Sequence, residues 1–288
     1  MFKGSIVALV TPFKNGGLDR KALDGLLDFH LANGTDGVVP AGTTGEAPTL
    51  TAEEFVELVK AAKSRCAGKI PVIAGVGTNS TAKTVHNAKA AAEAGADALL
   101  VVSPYYNKPT PRGLQLHFEA VAGATKLPIV VYNIPGRTGV NITAETMSQL
   151  AKVRNIVAVK EAAGSIEQVM QIRAACNLTI LSGDDALTYP MMALGATGVI
   201  SVAANVVPKE ISHLCRLGNS GDLAGSRAVH ERLARLFKIL FIETNPIPVK
   251  SALKLMGKCG GELRLPMCPM APENEEKLRG VLKEYGLV

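Results

Sequence analysis

The sequence predicts an α/β fold, a (β/α)₈ TIM barrel with a C-terminal helical extension. Short apolar segments rich in β-branched residues alternate with amphipathic helical segments over about 200 residues, which matches the size of such a barrel. The strand segments are apolar almost throughout, as is typical of parallel strands buried on both faces. Eight such segments begin near Ile6, Gly37, Pro71, Ala98, Pro128, Ile156, Thr179 and Gly198.

Helices between these strands are predicted from their amphipathic period, for example over residues 52–63 and 81–94. Thr51 and Glu54 have the spacing of a capping box at the start of the first of them. A doubly wound sheet is the alternative fold, and the glycine pattern disfavours it. Residues 75–80 follow a strand but lack the third glycine of a dinucleotide-binding loop, and the sequence contains no P-loop pattern.

The regular alternation of strands and helices stops after Val207. From there the sequence predicts helices only, over residues 209–217, 223–241, 248–256 and 272–285. We therefore expect residues 1–222 to form the catalytic barrel and residues 223–288 to form an all-helical extension.

Composition argues against several classes of protein. The net charge is +6, but the 31 basic and 25 acidic residues are interspersed, whereas a nucleic-acid surface needs a basic cluster. No apolar run approaches the roughly 20 residues that span a bilayer. The apolar stretch at residues 5–10 is too short for a signal peptide and has no small-residue cleavage site. We expect a cytoplasmic protein with neither nucleic acid nor membrane as a partner.

Cysteine and histidine patterns give no sign of a metal site. The five cysteines form no C-x-x-C pair, and the five histidines form no H-x-H or H-E-x-x-H pattern. We expect reduced structural thiols and no metal site.

Lys160 is the outstanding candidate for catalysis, because barrel enzymes place their active sites at the carboxyl ends of the strands. Period-two alternation puts Ile156, Ala158 and Lys160 on one face of a strand. If that face points inward, desolvation favours the neutral amine that attacks a carbonyl. The alternative is an ion pair with Glu161 or with another acid at the rim, and this strand alone leaves both open.

Other strand ends carry polar groups, each with an ordinary alternative. Tyr132 has a phenol suited to proton transfer, or it is a tyrosine at the edge of the core. Thr43 and Thr44 lie between glycines that let a ligand approach, or they form a plain turn. Arg137 has the fork that matches a carboxylate, or it is a solvated surface arginine.

Two further pairs of strand-end residues are expected to be structural or remain open. Tyr105 and Tyr106 follow the fourth predicted strand and can be simply packed aromatics. Asp184 and Asp185 are expected to cap a helix that starts near Ala186 rather than to act as acid and base.

Taken together, these motifs resemble the dihydrodipicolinate synthase family, within the N-acetylneuraminate lyase superfamily of pyruvate-dependent class I aldolases. The resemblance covers essentially the whole chain, because the matching motifs occur in order from the first strand to the extension. They are residues 4–6, 42–46, 132–139, 159–161, 182–185, 198–201 and 245–250.

The resemblance implies a lyase of lysine and diaminopimelate biosynthesis, in which Lys160 forms a Schiff base with pyruvate. The enamine then attacks L-aspartate 4-semialdehyde, and the product amine closes a ring by displacing Lys160. The resemblance also implies a homotetramer, a dimer of dimers, with no cofactor. It assigns proton relay to Tyr132, Thr44 and Tyr106, the last from a neighbouring subunit, and substrate binding to Thr43, Thr44, Arg137, Gly183 and Ile200.

Two competing functions are weaker. N-acetylneuraminate lyases and sugar-acid aldolases resemble this chain in the lysine, but residues 136–139, with Arg137, and 42–45 look more like the synthase. A barrel that only binds a small acid does not need Lys160 together with three hydroxyl groups, so the combination favours an enzyme.

Inhibition by lysine is predicted to be weak or absent. Asn79 and Tyr105 match lysine-sensitive members of the family, but Ala52, Phe55 and Lys83 stand where those members have a histidine pair and a glutamate. A cation at the position that should receive the ammonium of lysine is repulsive.

Overall fold

The computed structural model describes residues 2–288, in which eight parallel strands form a closed barrel and confirm the predicted fold. The barrel strands are β1 (Gly4–Ala8), β4 (Gly37–Val39), β5 (Ile73–Gly75), β6 (Ala98–Val102), β7 (Ile129–Asn133), β8 (Ile156–Glu161), β9 (Thr179–Ser182) and β10 (Gly198–Ser201). Their order is β4-β1-β10-β9-β8-β7-β6-β5, and a parallel bridge between Val38 and Val72 closes the ring between β4 and β5.

Helices surround the barrel and continue into the extension. They are α1 (Arg20–Ala32), α2 (Ala52–Cys66), α3 (Thr81–Glu93), α4 (Pro111–Gly123), α5 (Pro135–Thr138), α6 (Ala144–Leu150), α7 (Ile166–Ala175), α8 (Thr188–Ala193), α9 (Pro208–Asn219), α10 (Leu223–Ile239), α11 (Ile247–Leu255) and α12 (Pro272–Glu284). The capping box at α2 is confirmed, since Glu54 N donates to Thr51 Oγ1 at 3.2 Å and Thr51 N donates to Glu54 Oε2 at 3.0 Å.

A short hairpin, β2 (Phe13–Lys14) and β3 (Gly17–Leu18), follows β1 and was not predicted. Two residues per strand are too few to show a period-two pattern. Asn15 and Gly16 form the turn with φ of 53° and 80°, as a tight hairpin turn requires. Their amides donate to the two carboxylate oxygens of Glu262 at 2.9 and 2.7 Å, which ties the hairpin to the C-terminal extension.

Apolar side chains of the barrel strands separate into two layers. Alternate residues of β1, such as Ile6 and Ala8, face the interior of the barrel, while Val7 packs against the surrounding helices. The expected single face of β8 is wrong at its first residue. Ile156 packs in the outer layer because the ladder between β7 and β8 shifts register at that point, whereas Ala158 packs in the interior.

The C-terminal helices pack directly on the barrel. Helix α10 contacts α8 and α9, and α12 contacts α10 and α11. We propose residue 222 as the boundary between barrel and extension, since it lies in the turn between α9 and α10. Among residues 2–288, no helix combines the length and the apolar character needed to cross a membrane. All five cysteines have free thiols.

Candidate active site

Lys160 and Tyr132 lie side by side at the carboxyl ends of β8 and β7. They are register partners in the parallel ladder, and Lys160 Nζ is 4.1 Å from the centroid of the Tyr132 ring. Both side chains are buried, with 5% and 4% of their surface exposed. An amine and a phenol are therefore held together inside the barrel, as the sequence predicts.

Glu161 does not pair with Lys160, so that alternative is wrong. Its carboxylate accepts hydrogen bonds from Asn133 Nδ2 at 3.1 Å, from Ala163 N at 2.7 Å and from Gln168 Nε2 at 3.0 Å. Burial raises the pKa of Glu161, and these donors act in the opposite direction. Asn133 and Glu161 directly follow Tyr132 and Lys160, so the carboxylate fixes the ends of β7 and β8 next to these two residues.

The side-chain amides of Asn133 and Gln168 beside Glu161 are oriented so that their N–H groups point toward its carboxylate. Asn141 Oδ1 accepts from Gln168 Nε2 at 3.2 Å and from Asn133 Nδ2 at 2.8 Å, while Asn141 Nδ2 donates to Gln168 Oε1 at 2.6 Å. Reversal of the side-chain amide of Asn133 or of Gln168 would therefore break a hydrogen bond to Asn141. The position of residue 161 therefore requires a group that only accepts hydrogen bonds.

Glu161→Gln is expected to lower the free energy of unfolding by about 1–3 kcal/mol, because an amide NH₂ would face the donors of Asn133 or Gln168. The measurement is chemical denaturation at fixed protein concentration. Glu167→Gln on the exposed side of α7 is the matched control and should leave the midpoint unchanged. Equal stability of the two variants would contradict the requirement for an acceptor.

Gly183 provides space for the Lys160 side chain. A Cβ atom at residue 183 would lie 2.7 Å from Ala162 Cβ and 3.1 Å from both Cγ and Cε of Lys160. Glycine is therefore required by close packing against the lysine. Ile200 lies on β10 and packs in the same interior cluster as Tyr132. The structure thus places both predicted lining residues beside the interior of the barrel.

The loop at residues 42–46, which carries Thr43 and Thr44, is held closely against the segment that follows β1. Thr11 Oγ1 donates to Gly45 O at 2.7 Å, and a Cβ at Gly45 would lie 3.0 Å from Leu9 O. Thr44 is buried and Thr43 is half-buried. The loop is therefore more than a plain exposed turn.

Asn245 connects two of the predicted site residues and was assigned no role from the sequence. Its Nδ2 donates to Thr44 Oγ1 at 3.0 Å, and its main-chain oxygen accepts from Arg137 Nη2 at 3.0 Å. The sequence signal was its place in the segment 245–250, which carries part of the family resemblance. The partners could not be read from the sequence, because about 200 residues separate Asn245 from Thr44.

Tyr106 is not part of the buried cluster within one chain. Its side chain is 88% exposed, and its backbone has a φ of 74°, in the left-handed region. The main-chain amide of Tyr106 donates to Thr138 O at 3.4 Å, which holds the segment beside α5. Tyr105, by contrast, is half-buried.

The two aspartates that follow β9 have different roles, so the capping prediction is correct for only one of them. Asp184 Oδ1 accepts from Ala186 N at 2.9 Å, as a cap should. Asp185 is fully buried and accepts instead from Val202 N at 3.0 Å and Ala203 N at 2.9 Å, in the turn after β10. Burial raises the pKa of Asp185.

A buried ion pair behind the 42–46 loop was also missed. Lys250 Nζ lies 2.6 Å from Glu46 Oε1, and their side chains are 0% and 2% exposed. Glu46 Oε2 accepts from Arg264 N at 3.0 Å. Burial lowers the pKa of Lys250, and the hydrogen bond and charge of Glu46 oppose that shift. A lysine within the apolar run 247–253 was the sequence signal for such a pair.

The described part of the chain contains no cluster of three or more potential metal ligands. The fold and this site define the class of (β/α)₈-barrel enzymes that carry an interior lysine at the carboxyl end of a strand.

Comparison with known proteins gives the family. The model of the dihydrodipicolinate synthetase family matches residues 1–285, and the chain belongs to this family. It is 51% identical to the 4-hydroxy-tetrahydrodipicolinate synthase of Geobacter sulfurreducens, over 100% of both chains. The structure of dihydrodipicolinate synthase from Aquifex aeolicus is 54% identical, with a TM-score of 0.98 and 99% of each chain covered. The prediction of a lyase with 4-hydroxy-tetrahydrodipicolinate synthase activity is confirmed.

Two related structures contain small molecules. The chloride-inhibited synthase from Acinetobacter baumannii, in complex with pyruvate, is 44% identical with a TM-score of 0.98, and each chain is covered completely. The enzyme from Cyanidioschyzon merolae, with lysine bound, is 44% identical with a TM-score of 0.96, and 100% of this chain and 99% of the other are covered.

Proposed function

We propose that Lys160 forms an imine with pyruvate and that the resulting enamine condenses with L-aspartate 4-semialdehyde. The observation that carries the proposal is the buried amine of Lys160 over the Tyr132 ring, with no bond from Glu161 to hold it. The neutral amine attacks C2 of pyruvate, and the carbonyl oxygen leaves as water. A positively charged imine then makes the methyl protons acidic.

The next steps require proton transfer beside the imine. Loss of a methyl proton gives the enamine, whose carbon attacks the aldehyde carbon of the semialdehyde while the aldehyde oxygen takes up a proton. We assign these proton transfers to the Tyr132 phenol, with a relay through Thr44 and through Tyr106 of a neighbouring subunit. The amine of the condensed product then attacks the imine carbon, and the ring closes as Lys160 leaves.

The two carboxylates are assigned to different sides of the site. Thr43 and Thr44 would hold the carboxylate of pyruvate, since their loop brings hydroxyl and amide donors together. Arg137 would hold the carboxylate of the semialdehyde. Among residues 2–288 its guanidinium donates one side-chain hydrogen bond, from Nη2 to Asn245 O, which leaves further N–H groups for a bidentate contact. The backbones of Gly183 and Ile200 would line the space around Lys160.

The experiment that tests the proposal is borohydride reduction during incubation with pyruvate, followed by intact mass and peptide mapping. A reduced pyruvyl adduct on Lys160 is the expected result, since borohydride converts the imine into a stable secondary amine. A folded protein that gives no adduct would overturn the Schiff-base mechanism.

Exposure of Tyr106 supports the proposed homotetramer. The Tyr106 side chain is 88% exposed in one chain, and aromatic residues are enriched at interfaces between proteins, so it is available for contact with a neighbouring subunit. We propose that Tyr106 enters the site of a neighbouring subunit and that the assembly is a dimer of dimers. We also propose that the enzyme works in the cytoplasm and needs no cofactor. Sedimentation of the full chain, with Tyr106→Ala as the variant, measures the assembly.

Weak inhibition by lysine remains our prediction, although the Cyanidioschyzon merolae relative has lysine bound. Lys83 and Ala52 are exposed on α3 and α2, while Phe55 is buried in the outer core, so none of the three offers an acid to an ammonium group. We expect Lys83→Glu to increase the sensitivity to lysine, with Lys89→Glu on the same helix as a control for charge. Half-inhibition of the unaltered enzyme at submillimolar lysine would contradict the prediction.

A further inference from the structure

Asn245 lies at the junction of the barrel and the extension, and its side chain is almost completely enclosed. It is 5% exposed and precedes α11. Its amide nitrogen is hydrogen-bonded to Thr44 Oγ1, whereas its Oδ1 is buried without a hydrogen-bond partner among residues 2–288. The side-chain amide is thus oriented by one contact, and that contact is with a residue of the proposed proton relay.

The direction of this hydrogen bond determines that the Thr44 hydroxyl accepts from Asn245 and does not donate to it. A threonine hydroxyl has one proton to donate and two lone pairs to accept with. Because Asn245 Nδ2 can only donate, it occupies a lone pair of Thr44 Oγ1 and leaves the Thr44 proton free for another acceptor. The reverse orientation of the amide would bury two N–H groups without acceptors, which is rarer in proteins than an unpaired carbonyl oxygen.

The main chain of Asn245 makes a second, separate contact. Its carbonyl oxygen accepts from Arg137 Nη2 at 3.0 Å. One residue of the extension therefore contacts both Thr44, on the pyruvate side, and Arg137, on the side assigned to the semialdehyde carboxylate. Substitution of the side chain removes the first contact and leaves the second in place.

We infer that Asn245 is a positioning residue that sets Thr44 as a proton donor toward the reacting groups. The inference rests on the proposed function, because it concerns the relay that serves the imine at Lys160. In this assignment Asn245 acts through Thr44 and is given no substrate contact of its own. Its effect should therefore appear in kcat, whereas KM for the semialdehyde depends on Arg137 and should change little.

The test compares Asn245→Asp, Asn245→Ala and Thr44→Val, alone and combined, by steady-state kinetics. Asn245→Asp has the same shape but places an acceptor beside Thr44, so the threonine proton turns toward the new carboxylate. We expect kcat to fall about 10- to 100-fold, the size of loss that misplacement of a catalytic group causes. Asn245→Ala places no acceptor beside Thr44, so its kcat should fall less than that of Asn245→Asp.

The double variants separate positioning from a general structural role. If Asn245 acts through Thr44, adding Asn245→Asp to Thr44→Val should cause no further fall in kcat. Full multiplication of the two effects, or a kcat for Asn245→Asp equal to that of the unaltered enzyme, would overturn the inference. Failure of the proposed function is distinguishable, since it would appear as absence of the borohydride adduct in the unaltered enzyme.

Discussion

Lys160→Ala is expected to lower kcat/KM by about 10³-fold or more while the fold is retained, since in the proposed mechanism every chemical step after binding depends on the imine. The loss should be in turnover and in borohydride trapping together. The unfolding midpoint should change little, because Glu161 is bonded to other residues and loses no partner when Lys160 is removed.

Lys160→Arg tests whether the reaction needs the primary amine or only a positive charge at this position. Arginine places a cation beside Tyr132 but has no primary amine that could form the imine with pyruvate, so Lys160→Arg should be as inactive as Lys160→Ala. Lys152→Ala, at an exposed lysine bonded to Gln149 Oε1 at 2.7 Å, is the control and should keep full activity. Substantial turnover by either Lys160 variant would refute the assigned nucleophile.

Lys250→Met is expected to have the largest effect on stability, about 3–5 kcal/mol in the free energy of unfolding. The substitution leaves the Glu46 carboxylate buried without its cation, and an unpaired buried charge is costly. Glu46 also accepts from Arg264 N, which anchors the segment after α11. Because Glu46 ends the loop that carries Thr43 and Thr44, the affinity for pyruvate should fall as well.

The measurement is the apparent unfolding midpoint in denaturant at one fixed protein concentration, because the proposed assembly makes stability concentration-dependent. Lys254→Met on the same helix is the matched control, since Lys254 is 55% exposed and should contribute less than about 1 kcal/mol. Combining Glu46→Gln with Lys250→Met should recover part of the loss. A double variant that is less stable than Lys250→Met alone would contradict the role of the unpaired charge.

Local pattern was sufficient to predict the eight strands, helices α2 and α3, the C-terminal helices and the cap at α2. Apolar period and capping chemistry are properties of neighbouring residues, so they can be read before the chain folds. The same period placed Ala158 and Lys160 on one face, but it failed at Ile156 because the irregular register between β7 and β8 depends on both strands.

The sequence by itself determined the fold class, the family and the choice of Lys160 and Tyr132 as the central pair of the site. Only the tertiary structure decided the partners of Thr44, Glu46 and Asp185. The first two are separated from Asn245 and Lys250 by 201 and 204 residues, and closure of the barrel and docking of the extension bring them together. A local pattern states which way a side chain faces, whereas the identity of a distant partner depends on how the whole chain packs.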